Sequence, residues 1–377
     1  MKNIAFINLA KQQEKIRDKI DTAIAKVLDH GTYIMGPEVK EFENNIAQYT
    51  GAKHAISCSS GTDALSMALM ALGVKAGDGI LVPSFTFAAT AETVALLGAI
   101  PVFVDVTKDT FNMCVADIAR AIDEATSKGL SVKGIIPVDL FGQPADYQAI
   151  DAIAEKHNMW VLSDAAQSLG ASIDGKQVGT FGICTATSFF PAKPLGCYGD
   201  GGCIFTDNDE LAEIMRSIRV HGKGSDKYDN KRLGLNARLD TIQAAILIEK
   251  LNIFSEEVKL RNEVANYYSE KLSTTTSVPF VAQNHNSSWA QYTLLLDENI
   301  DRANVMAMLK EVGVPSGIYY PRPVHKQSAY AKYHEGYREL DNSVMLSKRV
   351  LSLPMHPYLS RAEQDFIIEN LQKLLVA

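Results

Sequence analysis

The chain has 377 residues, 46% hydrophobic and 21% charged, enough to bury a large core and divide it between two domains. Its 37 Lys and Arg against 44 Asp and Glu leave a net charge of −7, so no basic face is offered to nucleic acid and a small-molecule partner is expected. The five cysteines (58, 114, 184, 197 and 203) form no CxxC pair, against a disulfide framework or a zinc site; MKNIAFINLAKQQEKIRDKI carries charges where a signal peptide is apolar, so a cytoplasmic protein without a metal is expected.

An amphipathic helix is predicted over roughly 10–28, followed by the loop GTYIMGPEV. Short β-branched runs then alternate with helix-period segments, the pattern of an α/β fold. HAISCS reads as a strand, and Ala64, Leu65, Ala68, Leu69 and Leu72 recur at helical spacing until Gly73 supplies a C-cap. GILVPS is a strand and TAETVALLG a helix. PVFVDV, GIIPVDL and WVLSDA are continuous apolar runs, as expected of buried parallel strands, with helices near 115–128 and 145–157 between them. TATSFF and CIFTD extend the sheet, and from about 208 the chain reads as mainly helical. The strand YTLLL and the loop YYPRPVHKQ lie in the last third. The expected division is a large domain over 1–248 and a small C-terminal domain over 249–377.

Three segments carry chemistry. SSGT at 59–62 stands between a strand and a helix, where small residues and unpaired helix amides suit phosphate; as residue types alone it reads more readily as an ordinary N-cap. In SDAAQSLGA, Asp164 follows a strand and so falls at the carboxyl edge of the sheet, where open α/β proteins place ligands. A helix cap is its other reading, and Gln167 reads also as a solvated polar residue. In SFFPAKPLGCYGDGG at 188–202, Lys193 sits between Pro191 and Pro194 among apolar neighbours. Restricted backbone and desolvation suit an amine nucleophile, and a surface lysine in a Pro/Gly loop fits the residue types equally well.

SGTDAL, PSFTFAATAE, GAIPVFVDV, SDAAQSLGA, SFFPAKPLGCYGDGG, GLNARLD and YYPRPVHKQ, in this order and spacing, resemble the DegT/DnrJ/EryC1/StrS family of pyridoxal phosphate (PLP) dependent nucleotide-sugar aminotransferases over nearly the whole chain. The resemblance implies the aspartate aminotransferase-like PLP fold type I: a large, mostly parallel mixed sheet flanked by helices, plus a smaller C-terminal α+β domain. It implies pyridoxal 5'-phosphate as cofactor and a homodimer with shared active sites. By position, Lys193 resembles the Schiff-base lysine and Asp164 the carboxylate paired with the pyridine nitrogen, because a protonated ring is the better electron sink. Gln167 matches the neighbour of the phenolic oxygen, and Phe87 the ring stacked on the pyridine, though alone it reads as a core Phe. Ser60, Gly61, Thr62 and Ser188 fall at the phosphate cup, and Asn236 matches a phosphate ligand from the neighbouring subunit. Relatives that dehydrate sugars have histidine in place of the lysine, so Lys193 implies transamination.

SFFPAKPLGCYGDGG, YIMGPEV, RLDTIQAAIL and SLPMHPYL are most similar to members that aminate UDP-2-acetamido-2-deoxy-3-oxo-glucuronate at C3 for surface polysaccharide such as O-antigen. Uronate and L-glutamate, the donor implied, both bring carboxylates, which cations must accept. Arg238 matches an arginine of that subgroup, and Tyr320 a tyrosine of the family motif. Tyr319 stands where relatives commonly carry histidine. Arg322, His325 and Tyr33 are further substrate-binding candidates, each readable also as a loop residue. The alternatives are amination of a nucleotide-linked 4-keto-6-deoxy sugar and, in another class, a non-catalytic PLP-binding regulator.

Overall fold

The computed structural model describes residues 4–226 and 228–376. The chain opens with two helices, α1 (Leu9–His30) and α2 (Pro37–Thr50), and then alternates strand and helix. In order follow β1 (His54–Cys58), α3 (Gly61–Ala71), β2 (Gly79–Pro83), α4 (Ala89–Leu96), β3 (Ile100–Val104), α5 (Val115–Ser127), β4 (Val132–Ile135), α6 (Tyr147–Lys156) and β5 (Trp160–Asp164). After the short β6 (Ser172–Ile173) and β7 (Lys176–Gln177) come β8 (Cys184–Ser188), β9 (Gly202–Thr206) and α7 (Asp209–Ile218).

The central sheet has the order β1-β9-β8-β5-β4-β2-β3 and, among these seven strands, β9 alone runs against its neighbours. Helices cover both faces, so strand residues are apolar on both sides rather than alternating with polar ones. In β2, Ile80 and Val82 pack with α3, α4 and α7, whereas Leu81 turns to α5 and α6. All five carboxyl-terminal edges of the parallel strands β2, β3, β4, β5 and β8 therefore open on one rim of the sheet.

The rest of the chain is built on α8 (Thr241–Leu272), followed by β10 (His285–Asn286), β11 (Tyr292–Leu295), α9 (Arg302–Glu311), α10 (Asp341–Arg349), β12 (Val350–Leu353) and α11 (Arg361–Val376). β11 pairs antiparallel with β12. The boundary expected after 248 lies inside α8. Leu247, Phe254 and Val258 pack with β9, while Val264, Tyr268 and Leu272 pack with Tyr292, Leu294 and Leu351. Ile4 joins that second cluster, and Met355 N–H donates to Phe6 O at 3.1 Å, so the first described residues lie against the C-terminal elements.

Two segments differ from the sequence reading. GTYIMGPEV is a loop only to Gly36: Pro37, with its fixed φ, starts α2, which ends at Gly51 with φ +81. The sequence reads as mainly helical from about 208, but the described residues of 219–226 and 228–240 are irregular, and Ile34 and Asp240 meet in a bridge. No helix among the described residues is long and apolar enough to cross a membrane.

Candidate active site

On the carboxyl-terminal rim lies a cavity of about 440 Å3, a size suited to a small organic ligand. Its wall contains Ser60, Gly61 and Thr62 after β1, Thr86 and Phe87 after β2, Asp164 and Gln167 at the end of β5, and Ser188 at the end of β8. Lys193 comes from the loop between β8 and β9, and Tyr319 and Tyr320 from the C-terminal elements.

Asp164 is buried, yet both carboxylate oxygens have donors: Thr90 Oγ1 at 2.8 Å from Oδ2 and Ala166 N at 3.2 Å from Oδ1. Burial pushes the carboxyl above its ordinary value, while these donors and the Lys193 charge pull the other way. Lys193 mirrors it: desolvation lowers the amine, and Asp164 partly restores it. The loop presenting Lys193 is tightly folded. Lys193 N–H donates to Phe190 O at 2.8 Å, Cys197 N–H to Phe189 O at 2.8 Å, and the buried Lys250 Nζ to Gly196 O at 2.5 Å. Burial lowers Lys250 to about 8.

The start of α3 forms the opposite wall. Ser60 caps the helix by accepting from Asp63 N–H at 3.0 Å, and its carbonyl takes Ala64 N–H. Gly61 and Thr62, as the first two helical residues, have amides that the helix itself cannot satisfy. A Cβ on Gly61 would lie 2.7 Å from Ser188 Cβ, and one on Gly202 would lie 2.3 Å from Ser60 O. Glycine at both positions lets the helix start sit against the strand ends.

Gln167 is held at both ends: Oε1 accepts Phe141 N–H at 2.7 Å, and Nε2 donates to Tyr320 Oη at 3.1 Å. The second Nε2 hydrogen and the Tyr320 hydroxyl hydrogen remain for a ligand. Burial raises the Tyr320 phenol far above its ordinary value, so it stays neutral. Phe87 is 58% exposed, its ring 6.1 Å from that of Tyr320.

The sequence profile of the DegT/DnrJ/EryC1/StrS aminotransferase family matches residues 14–372. The chain belongs to this family. A Pseudomonas aeruginosa relative, a UDP-2-acetamido-2-deoxy-3-oxo-D-glucuronate aminotransferase, is 50% identical over 97% of this chain and 98% of its own. A solved family aminotransferase from Brucella abortus superposes with a TM-score of 0.96 at 49% identity, covering 99% of this chain and 100% of that one. A Bacillus subtilis protein solved with bound cofactor PMP superposes at 0.88 with 30% identity, covering 96% and 82%. The cofactor of this aminotransferase is pyridoxal 5'-phosphate, and the cavity fits it. The glycine cradle with two unsatisfied amides suits a phosphate, buried Asp164 suits a cationic ring nitrogen, and Lys193 supplies an amine.

Not every expected site residue enters this cavity. Asn236 is exposed and Arg238 half-buried on the irregular segment before α8, and Tyr33 is exposed beside them, its carbonyl accepting from Thr241 N–H. Arg322 points to solvent. His325, expected at the substrate, is instead buried outside the cavity: Ser84 Oγ is 2.5 Å from its Nδ1 and Glu339 Oε1 3.2 Å from its Nε2. With both ring nitrogens engaged, it fastens the 321–326 loop to the end of β2, where Val324 N–H also donates to Ser84 O. Thr90, the donor to Asp164, gave no signal in its Ala-rich helix. Ile7 and Gln291 also line the wall, and their place follows only from tertiary packing.

Proposed function

We propose that the chain transfers the amino group of L-glutamate to the 3-keto group of UDP-2-acetamido-2-deoxy-3-oxo-D-glucuronate. The product is UDP-2-acetamido-3-amino-2,3-dideoxy-D-glucuronate, for surface polysaccharide such as O-antigen. The observation that carries this reading is the 50% identity, over 97% of the chain, to the Pseudomonas enzyme with that substrate.

Bound in the cavity, pyridoxal 5'-phosphate would supply a reactive aldehyde and an electron-withdrawing ring. Lys193 Nζ, shifted toward its neutral form by burial, would be the amine that holds the cofactor. When free, it would be the base that takes the proton from the donor's α-carbon and, in the second half-reaction, delivers a proton to the sugar carbon that receives the amino group. Asp164 would keep the ring nitrogen protonated by ion pairing, its anion favoured by the Thr90 and Ala166 donors. The Gly61 and Thr62 amides with Ser60 and Ser188 would hold the phosphate, Phe87 would cover the ring, and Gln167 would orient its phenolic oxygen. Tyr319 and Tyr320 face the sugar.

The active unit in this reading is a homodimer. Asn236, Arg238, Tyr33 and Arg322 stand outside their own chain's cavity and would serve the partner's phosphate and the substrate carboxylates. Exposed Tyr33, Ile34 and Met35, next to the segment before α8 through the Ile34–Asp240 bridge, support an apolar contact there. The cytoplasmic location belongs to the same proposal and suits the free thiols at Cys58, Cys184, Cys197 and Cys203, all buried.

The test is an assay of purified protein with glutamate and two ketosugars, the UDP 3-keto uronate and a nucleotide-linked 4-keto-6-deoxy sugar. Amination of the first is expected; turnover of only the second overturns the substrate assignment.

A further inference from the structure

Behind the cavity lies a second buried carboxyl group that does not line it. Asp139 is fully buried and sits beside Asp164 on the neighbouring strand extension: Asp139 N–H donates to Asp164 O at 3.0 Å, and Asp164 N–H to Pro137 O at 2.9 Å. Its side chain collects three donors. Oδ1 accepts from Ala145 N at 2.9 Å and from Tyr147 Oη at 2.7 Å, and Oδ2 accepts from Ser168 Oγ at 2.7 Å. Tyr147 Oη also meets Ser163 Oγ at 2.5 Å.

These partners are not scattered. Ser163 immediately precedes Asp164 and Ser168 immediately follows Gln167, so one carboxyl group grips both ends of the turn that bears the two cavity groups. The same segment reaches the turn a third time, through Phe141 N–H to Gln167 Oε1. Phe141 has φ +60 and Gly142 φ +110, so the backbone after Asp139 doubles back on itself to make that contact. Ser288 Oγ closes the outside by donating to Gln167 O at 2.9 Å.

We propose that Asp139 is a positioning residue of the active site, fixing through Ser168, Tyr147 and Ser163 the turn that presents Asp164 and Gln167 to the cofactor. The proposal rests on the reading that Asp164 and Gln167 hold the cofactor. It predicts more than a structural role, because the turn's aim is read by a ligand while the sheet and its helices carry the fold without it.

The test titrates full-length, cofactor-stripped protein with pyridoxal 5'-phosphate, following the visible absorbance band, and compares the parent with Ser168→Ala, Asp139→Ala and Asp139→Asn. The first variant cuts one tether and keeps the carboxyl. The last keeps the connections, since an asparagine accepts from Ala145 and Tyr147 while its amide donates to Ser168 Oγ. Ser168→Ala and Asp139→Ala are expected to weaken cofactor binding roughly tenfold and displace the band, with Asp139→Asn restored to within about threefold of the parent. If Asp139→Ala does not fold, Ser168→Ala carries the comparison. Parent-like affinity and band in Ser168→Ala overturn the proposal, as does a loss in Asp139→Asn as deep as that in Asp139→Ala. A parent protein that develops no band at all overturns instead the cavity reading beneath it.

Discussion

Gly61→Ala is the sharpest probe of the phosphate cradle. The added Cβ would meet Ser188 Cβ at 2.7 Å, where ordinary contact begins at 3.4 Å, so one side must retreat by about 0.7 Å. Ser188 ends β8, which is paired on one side to β5 and on the other to β9, where Ser188 faces Gly202. It cannot recede without breaking the ladder. α3 is the softer partner only at its tip, because Ala64, Leu65, Met67, Ala68 and Leu69 are buried against the sheet. The strain therefore turns the first turn of the helix, and with it the Gly61 and Thr62 amides. Overpacking costs about 1–3 kcal/mol, offset in part by up to ~1 kcal/mol for alanine's better helix propensity, so the cofactor-free protein should melt within a few degrees of the parent. The misdirected amides cost more in binding: hydrogen bonds to a charged group are worth about 1.5–3 kcal/mol each, which sets the loss of cofactor affinity at roughly 10- to 100-fold. Calorimetric titration of stripped protein with pyridoxal 5'-phosphate measures it. Affinity within about twofold of the parent in a folded variant would refute the cradle, since one lost hydrogen bond alone exceeds that.

Two further predictions concern the carboxyl groups. Thr90→Val keeps the shape but removes the donor to Asp164 Oδ2, leaving the carboxyl less able to ionise; cofactor affinity should fall by roughly tenfold, and an unchanged titration would count against Asp164 as the ring partner. Burial pushes the Asp139 carboxyl up to about 7, with the Asp164 charge adding to the rise, from an ordinary value of 3.8. The folded chain thus holds this proton more tightly than the unfolded one, so its stabilising contribution is complete below about pH 4 and lost as pH rises to about 7, by up to ~1.4 kcal/mol per unit. In urea unfolding of stripped protein, the stability of the parent relative to Asp139→Asn should decline with rising pH up to about 7 and then level off; a difference flat from about pH 5 to pH 8 would contradict this.

Much of the site was legible because its residues sit at strand ends. WVLS predicts a strand, and that alone puts Asp164 on the ligand-binding rim; the two prolines around Lys193 likewise mark a restricted loop. What escaped depends on packing rather than pattern. α2 begins with Gly36-Pro37 and no side-chain cap, so its start looks like a turn. β12 follows α10 with no intervening break, and four residues carry no decisive period. Asp139 lies in an apolar run, PVDL, where nothing local says that three donors converge on it. His325 shows the opposite error: a histidine in a loop next to cavity residues looked like a substrate contact, and the fold spends it on Ser84 and Glu339.

Chemical trapping shows whether Lys193 is the amine that holds the cofactor. Protein loaded with pyridoxal 5'-phosphate is reduced with borohydride, digested, and mapped by mass spectrometry, with Lys193→Ala alongside. One modified peptide is expected, carrying the cofactor on Lys193, and none in the variant. Attachment at another lysine, such as the buried Lys250, or an equal yield in Lys193→Ala, would contradict it.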